Sequence, residues 1–239
     1  YGGTYRLLND ILPRFGINHS FVDFSDLSAI ENSIKKETKA VYIETPSNPT
    51  LAVSDIKKIS RLAHQNHLIV IADNTFMSPF LQKPLELGAD IVVHSATKFL
   101  AGHSDLTAGA VVTKTKELGD QVYFVQNAIG ATLGVTDAWL LLRSIKTLGV
   151  RIQREAASAQ AIAEWFEKSG KKVFYPGLPS NPGYEIHKSQ AKSGGAVLSV
   201  DLGSKEAARK FVEKIKIPVF SVSLGGVETI VSYPPKMSH

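Results

Sequence analysis

Three short apolar runs, each closing in polar residues, constrain this chain more than anything else in it: "AVYIE" (40–44), "LIVIAD" (68–73) and "DIVVHS" (90–95). A continuous apolar run of this length suits a strand buried on both faces, as in a parallel sheet. Between the first two lies "SDIKKISRLAHQNH". There Ile56, Ile59, Leu62 and Ala63 recur at helical spacing behind Ser54, a suitable N-cap. "KPLELGAD" predicts a helical turn closed by Gly88. "AGAVVT" (108–113) predicts another strand, and "KTKELGDQVYFVQNAIGA" a helix. Strands alternating with helices through short connections give an α/β fold with a mainly parallel sheet.

The pattern changes near Val135. "TDAWLLLRSIKTLGVRIQREAASAQAIAEWFEKSG" predicts a long helical stretch with almost no breakers. A loop rich in proline and glycine follows, then a strand in "GAVLSVDL", a helix in "SKEAARKFVEKI" and a strand in "PVFSVSLGG". These read as a smaller α+β domain. The boundary is expected near Gly149, giving domains 1–149 and 150–239.

Composition narrows the function. The 239 residues are 44% hydrophobic, enough for a large core. There is no cysteine, which excludes disulfides, thiolate metal sites and a cysteine nucleophile and fits a cytoplasmic setting. No apolar run approaches the roughly 20 residues of a membrane span, and no secretory signal is visible. The net charge of +5 invites thoughts of nucleic acid. Yet the basic residues are scattered among acids, which suits a solvated surface better. The chain begins without Met and stops abruptly, so it reads as cut from something longer.

Open parallel sheets bind ligands beyond the carboxyl ends of their strands. Asn48 follows the first run, Asp73 closes the second, and Ser95, Thr97 and Lys98 follow the third. If the strands share a sheet, these residues meet in one pocket. A lysine in a partly apolar pocket has a lowered pKa and forms a Schiff base with a carbonyl. Hydroxyls at Ser95 and Thr97 suit a phosphate, and a carboxylate at Asp73 suits a protonated ring nitrogen. That set fits pyridoxal 5′-phosphate. Each residue also has an ordinary role: Lys98 snorkelling from a strand end, Asp73 and Asn48 shaping turns, the hydroxyls capping a helix. Their joint placement at successive strand ends favours the cofactor. Rival chemistries lack their motifs. No glycine-rich nucleotide loop is present, and His64 and His67 sit without the H-E-x-x-H of a zinc site.

"ADNTF", "HSATKFLAGHSD" and "TAGAVV", with "YGGTYRL" and "ETPSNP" before them and "SLGGVET" after, resemble the trans-sulfuration family of pyridoxal-phosphate enzymes. The resemblance runs over essentially the whole chain. It implies a cofactor domain of the aspartate-aminotransferase type (fold type I). It implies that Lys98 carries the Schiff base and shuttles protons, that Asp73 partners the pyridine nitrogen, and that Ser95 and Thr97 bind phosphate. It places Asn48 near the ring's 3-oxygen, Tyr1 stacked on the ring and assisting catalysis, and Ser223 near the substrate carboxylate. It assigns no metal. A phosphate-binding loop and a Tyr-x-Arg segment would precede this stretch, and a carboxylate-binding arginine would follow it. Arg143 and Arg151, among apolar neighbours, are not expected to replace that arginine. Members share sites across dimers that pair into tetramers, and "YFVQNAIGATLG" is apolar enough for such an interface. The substrate is expected to be a small amino acid, not nucleic acid or a membrane. Gly3 stands where methionine γ-lyases carry cysteine, and "YGGTYRL" and "SYPPKMSH" look closest to the cystathionine lyase and synthase branch. The favoured activity is a carbon–sulfur lyase acting on cystathionine. Its alternatives are γ-synthase and a non-catalytic fragment that binds the cofactor.

Overall fold

The three apolar runs fold as strands β1 (Ala40–Glu44), β2 (Ile69–Asp73) and β3 (Ile91–Ser95), followed by β4 (Gly109–Thr113). The computed structural model describes residues 1–237; Ser238 and His239, the end of the expected second domain, lie outside the described residues. One sheet runs in the order β1-β2-β3-β4. The first three strands are parallel and β4 is antiparallel to β3. Glu44 stands opposite Asp73, and Asp73 opposite Val93, so the carboxyl ends of the parallel strands line one edge.

The α-helices among the described residues are α1 (Gly2–Arg6), α2 (Leu27–Ser33), α3 (Ile56–Gln65), α4 (Ser78–Leu81), α5 (Lys116–Ile129), α6 (Val135–Ile145), α7 (Leu148–Lys168), α8 (Tyr184–Gln190), α9 (Lys205–Lys214) and α10 (Pro234–Met237). Strand alternation puts Val41, Ile43, Val70, Ala72 and Val92 on one buried face. There they meet Ile30 of α2 and Ile59 and Ala63 of α3. Double-sided burial is not reached. Ile69 is 38% exposed, because α2 and α3 cover one face only.

Three local expectations are corrected. The cap of α3 is Asp55, whose carboxylate accepts from Lys58 N at 3.0 Å. Ser54 is buried and spends its backbone on Thr45 Oγ1 and on Gln190 Nε2. The long helical stretch breaks into α6 and α7 at Lys146 and Thr147. No glycine or proline breaks it. The Ser144 carbonyl accepts from both Thr147 N (3.1 Å) and Thr147 Oγ1 (3.0 Å), and this side-chain competition tightens the turn. The strands expected in the last third are short.

There β5 (Lys172–Phe174) pairs antiparallel with β6 (Ser199–Asp201). β7 (Val219–Phe220) pairs parallel with β8 (Ile230–Val231). Beyond Phe220, positive φ angles at Ser223 (115°) and Gly225 (82°) turn the chain back toward β3. Among the described residues no helix is long and apolar enough to cross a membrane.

Candidate active site

Asp73 ends β2 in a conformation its neighbours dictate. Its Oδ1 accepts from Thr75 N (2.9 Å) and from Thr75 Oγ1 (2.6 Å). Thr75 Oγ1 in turn accepts from Ser95 N at 2.9 Å. A single threonine therefore locks the carboxylate and ties it to the end of β3. The other oxygen, Oδ2, accepts from Tyr42 Oη at 3.3 Å. Burial, and then the Asp73 charge, pushes the Tyr42 phenol far above its ordinary value, so it stays a donor. Neither Tyr42 nor Thr75 was singled out by sequence reasoning. Tyr42 shares a strand face with Glu44, and only the register with β2 brings it to Asp73.

Behind this edge His94 is buried, with no partner on Nδ1 among the described residues. Burial lowers its pKa against the opposing pull of Asp73, keeping the imidazole neutral. Lys98 lies one turn after Ser95, its N–H donating to the Ser95 carbonyl at 3.1 Å. The lysine is half-buried, and desolvation lowers its pKa. Its Nζ donates to Ser223 Oγ at 2.9 Å. Ser223 holds that position at a φ of 115°, a strained conformation of the kind that gathers at functional sites.

The other predicted residues fall around the same edge. Asn48 N donates to Glu44 Oε1 at 2.9 Å, and Tyr1 N donates to Glu44 Oε2 at 2.7 Å. The Tyr1 ring is exposed and lies over Gly3. Among the described residues no hydrogen bond engages the hydroxyl of Ser95 or the side-chain amide of Asn48. Thr97 differs. Its hydroxyl donates to Ala108 O (3.3 Å) and accepts from Ala108 N (3.0 Å), and it grips an anion only by rotating off that carbonyl. His64 bonds to Asp90, and His67 lies past the end of α3. No cluster of metal-ligating side chains occurs among the described residues. A separate cleft of about 610 Å³, lined by Phe80, Tyr175, Tyr184 and Lys192, contains none of the predicted residues.

A depressed lysine, a locked carboxylate and uncommitted hydroxyl and amide groups at one sheet edge are what pyridoxal phosphate requires of its host. The sequence model of the Cys/Met metabolism PLP-dependent enzymes matches residues 1–239. The chain belongs to that family. Members of the Cys/Met metabolism PLP-dependent family similar to it include cystathionine β-lyase MetC of Bacillus subtilis, 56% identical over 100% of this chain and 62% of the relative. The crystal structure of cystathionine γ-lyase from Lactobacillus plantarum complexed with L-serine superposes with a TM-score of 0.97 at 44% identity. It covers 100% of this chain and 63% of that one. Cystathionine γ-synthase from Xanthomonas oryzae pv. oryzae, in complex with aminoacrylate and cysteine, gives 0.96 at 38% identity, covering 100% and 62%. The chain thus spans under two thirds of the length of these relatives. Family membership makes pyridoxal phosphate its cofactor and gives it the family's fold type I architecture.

Proposed function

We propose that the protein carrying this chain is a cytoplasmic carbon–sulfur lyase of trans-sulfuration that acts on cystathionine. The observation that carries the reading is the half-buried Lys98, its Nζ on Ser223 Oγ, following the same sheet edge at which Thr75 locks Asp73 and receives Ser95 N. The 56% identity to a cystathionine β-lyase directs it toward this substrate. Bound pyridoxal phosphate supplies an electron sink for the pair left at the substrate's α-carbon. Lys98 is the attachment amine, and once displaced it takes the α-proton as a general base. Its lowered pKa keeps more of it neutral for both tasks. Asp73 would hold the ring nitrogen protonated, with Thr75 keeping the carboxylate from swinging away. Ser95 would donate to the phosphate, Thr97 would join it on leaving Ala108 O, and Asn48 would serve the ring oxygen. Tyr1 would cover the ring, and Ser223, which accepts from Lys98, would orient the amine and the substrate carboxylate.

γ-Synthase is the second reading, supported by the close superposition on a γ-synthase backbone. A third, non-catalytic cofactor binding, is motivated by the partial span of the relatives. We divide the chain into a cofactor domain, 1–149, and a second domain, 150–239, on the separation of the four-stranded sheet from the two small ones. A second copy is the partner we assign to the apolar face of α5 and α6, where Phe124 is 73% exposed and Trp139 62%. Sedimentation of a Phe124→Asp variant as smaller particles than the parent would support that assignment; unchanged assembly would remove it.

The test of function is product analysis. The purified protein is given pyridoxal phosphate and cystathionine alone, then O-acylhomoserine with cysteine. Thiol, ammonia and keto acid from cystathionine alone establish the lyase. Cystathionine formed only in the second mixture establishes the synthase. A visible cofactor band with neither activity leaves the non-catalytic reading.

A further inference from the structure

We infer that Arg151 is a positioning residue for Lys98, its guanidinium holding the backbone that follows the lysine; this rests on reading Lys98 as the cofactor amine. Lys98 opens a tight turn in which Gly102 N donates back to the Lys98 carbonyl at 2.8 Å. The next two carbonyls are met by a side chain from α7. Arg151 Nη1 donates to Phe99 O at 2.9 Å, and Nη2 to Leu100 O at 3.4 Å. Nη2 also donates to Ser144 O (3.1 Å) and Nε to Thr147 Oγ1 (3.1 Å). Nearly all the donors of the planar fork are therefore spent on the lysine's turn and on the break between α6 and α7.

Space around the turn is equally committed. A Cβ at Gly102 would lie 2.0 Å from Arg151 Nη1. A Cβ at Gly225 would lie 2.6 Å from Phe99 N and 2.8 Å from the Lys98 carbonyl carbon. Val227 N donates to Gly102 O at 3.1 Å. The Lys98–Gly102 backbone is thus held by α7 and by the 225–227 segment together. Lysine's four-carbon stem is flexible, so where its amine dwells depends on how firmly its Cα is fixed. Arg151 supplies the donors that fix it, acting through the backbone carbonyls of Phe99 and Leu100 and not through the amine itself.

The experiment compares Arg151→Met, Arg151→Lys and Ala163→Gly in the full protein. Ala163 is buried at the far end of α7, in a cluster that contains no residue of the lysine turn, and serves as a control for general destabilisation. Four quantities are read: the thermal midpoint, the rate at which the visible band grows when pyridoxal phosphate meets the cofactor-free protein, the pH midpoint of that band, and hydrogen exchange at residues 99–102. Arg151→Met is expected to slow band growth by about tenfold, as loss of one or two net hydrogen bonds would. It should also shift the pH midpoint by about half a unit, because a displaced amine is differently solvated. Arg151→Lys, which keeps the charge but not the fork, should fall between parent and Met, and it carries the comparison if Arg151→Met does not fold. Ala163→Gly should melt earlier with an unchanged rate and pH midpoint. The inference is overturned if Arg151→Met matches the parent in rate and midpoint, or if Ala163→Gly slows the band as much. Failure of the parent itself to form a band would sink the reading of Lys98 as the cofactor amine instead. Exchange in the cofactor-free protein then still decides the role of Arg151: faster exchange at 99–102 in the Met variant upholds its grip, and unchanged exchange overturns it.

Discussion

At the scale of single residues, the site rests on one amine and one locked carboxylate. On the proposed roles Lys98→Ala removes both the attachment point and the base, so turnover should fall by about 10³-fold or more and the visible band should vanish. An absorption scan with a cystathionine assay checks both. Thr75→Val keeps shape but deletes the hydroxyl that bonds Asp73 and receives Ser95 N. Leaving those groups short of a partner should cost about 1–3 kcal/mol by denaturant melts, and Thr75→Ser should restore most of it. The placement of Asp73, Ser95 and Lys98 at one edge was legible in the sequence because Asp73 and Ser95 end apolar runs, Lys98 follows three residues on, and a parallel sheet must align such ends. The parts played by Tyr42, by Thr75 toward Ser95 and by Arg151 toward the lysine turn were not, because those partners lie on other elements. The hydroxyl of Thr97 shows the same limit: its tie to Ala108 depends on how β4 folds back beside β3.

At the scale of elements, periodicity found the strands of the main sheet almost residue for residue, and it found α3 and α5. It failed where the decisive contact is a side chain competing for backbone. Ser54 and Asp55 are both good caps by type. The tertiary bonds from Thr45 and Gln190 claim Ser54, which leaves the helix start to Asp55. Asp55→Ala should therefore destabilise the protein by about 1 kcal/mol in thermal or chemical unfolding. A variant as stable as the parent would return the cap to Ser54. The break between α6 and α7 was hidden for a similar reason. Thr147 is a tolerable helix residue until its hydroxyl finds the Ser144 carbonyl.

At the scale of the whole molecule, α7 carries a charge that the fold disfavours. Both oxygens of Glu155 are buried without a hydrogen-bond partner among the described residues. Burial raises its pKa above 4.5, and the charges of Arg151 and His103 only partly oppose this. The native state therefore binds this proton more tightly than the unfolded chain. The stabilisation is present in full below about 4.5 and is lost as pH rises through the native value. Glu155→Gln should melt higher than the parent at neutral pH. The gap should narrow on acidification toward 4.5, as a pH series of melting curves would show; a gap that widens in acid would refute the assignment. The grip on the lysine turn from α7 and from residues 225–227 has a further consequence for recombination. Stretches of chain far apart in the gene, around 98–102, 144–151 and 225–227, form one unit of inheritance. A chimera that joins two divergent relatives between them splits that unit, even where each half is well folded in its own parent. Crossovers placed before Asp90 leave the whole unit to one parent and keep the lysine's turn intact.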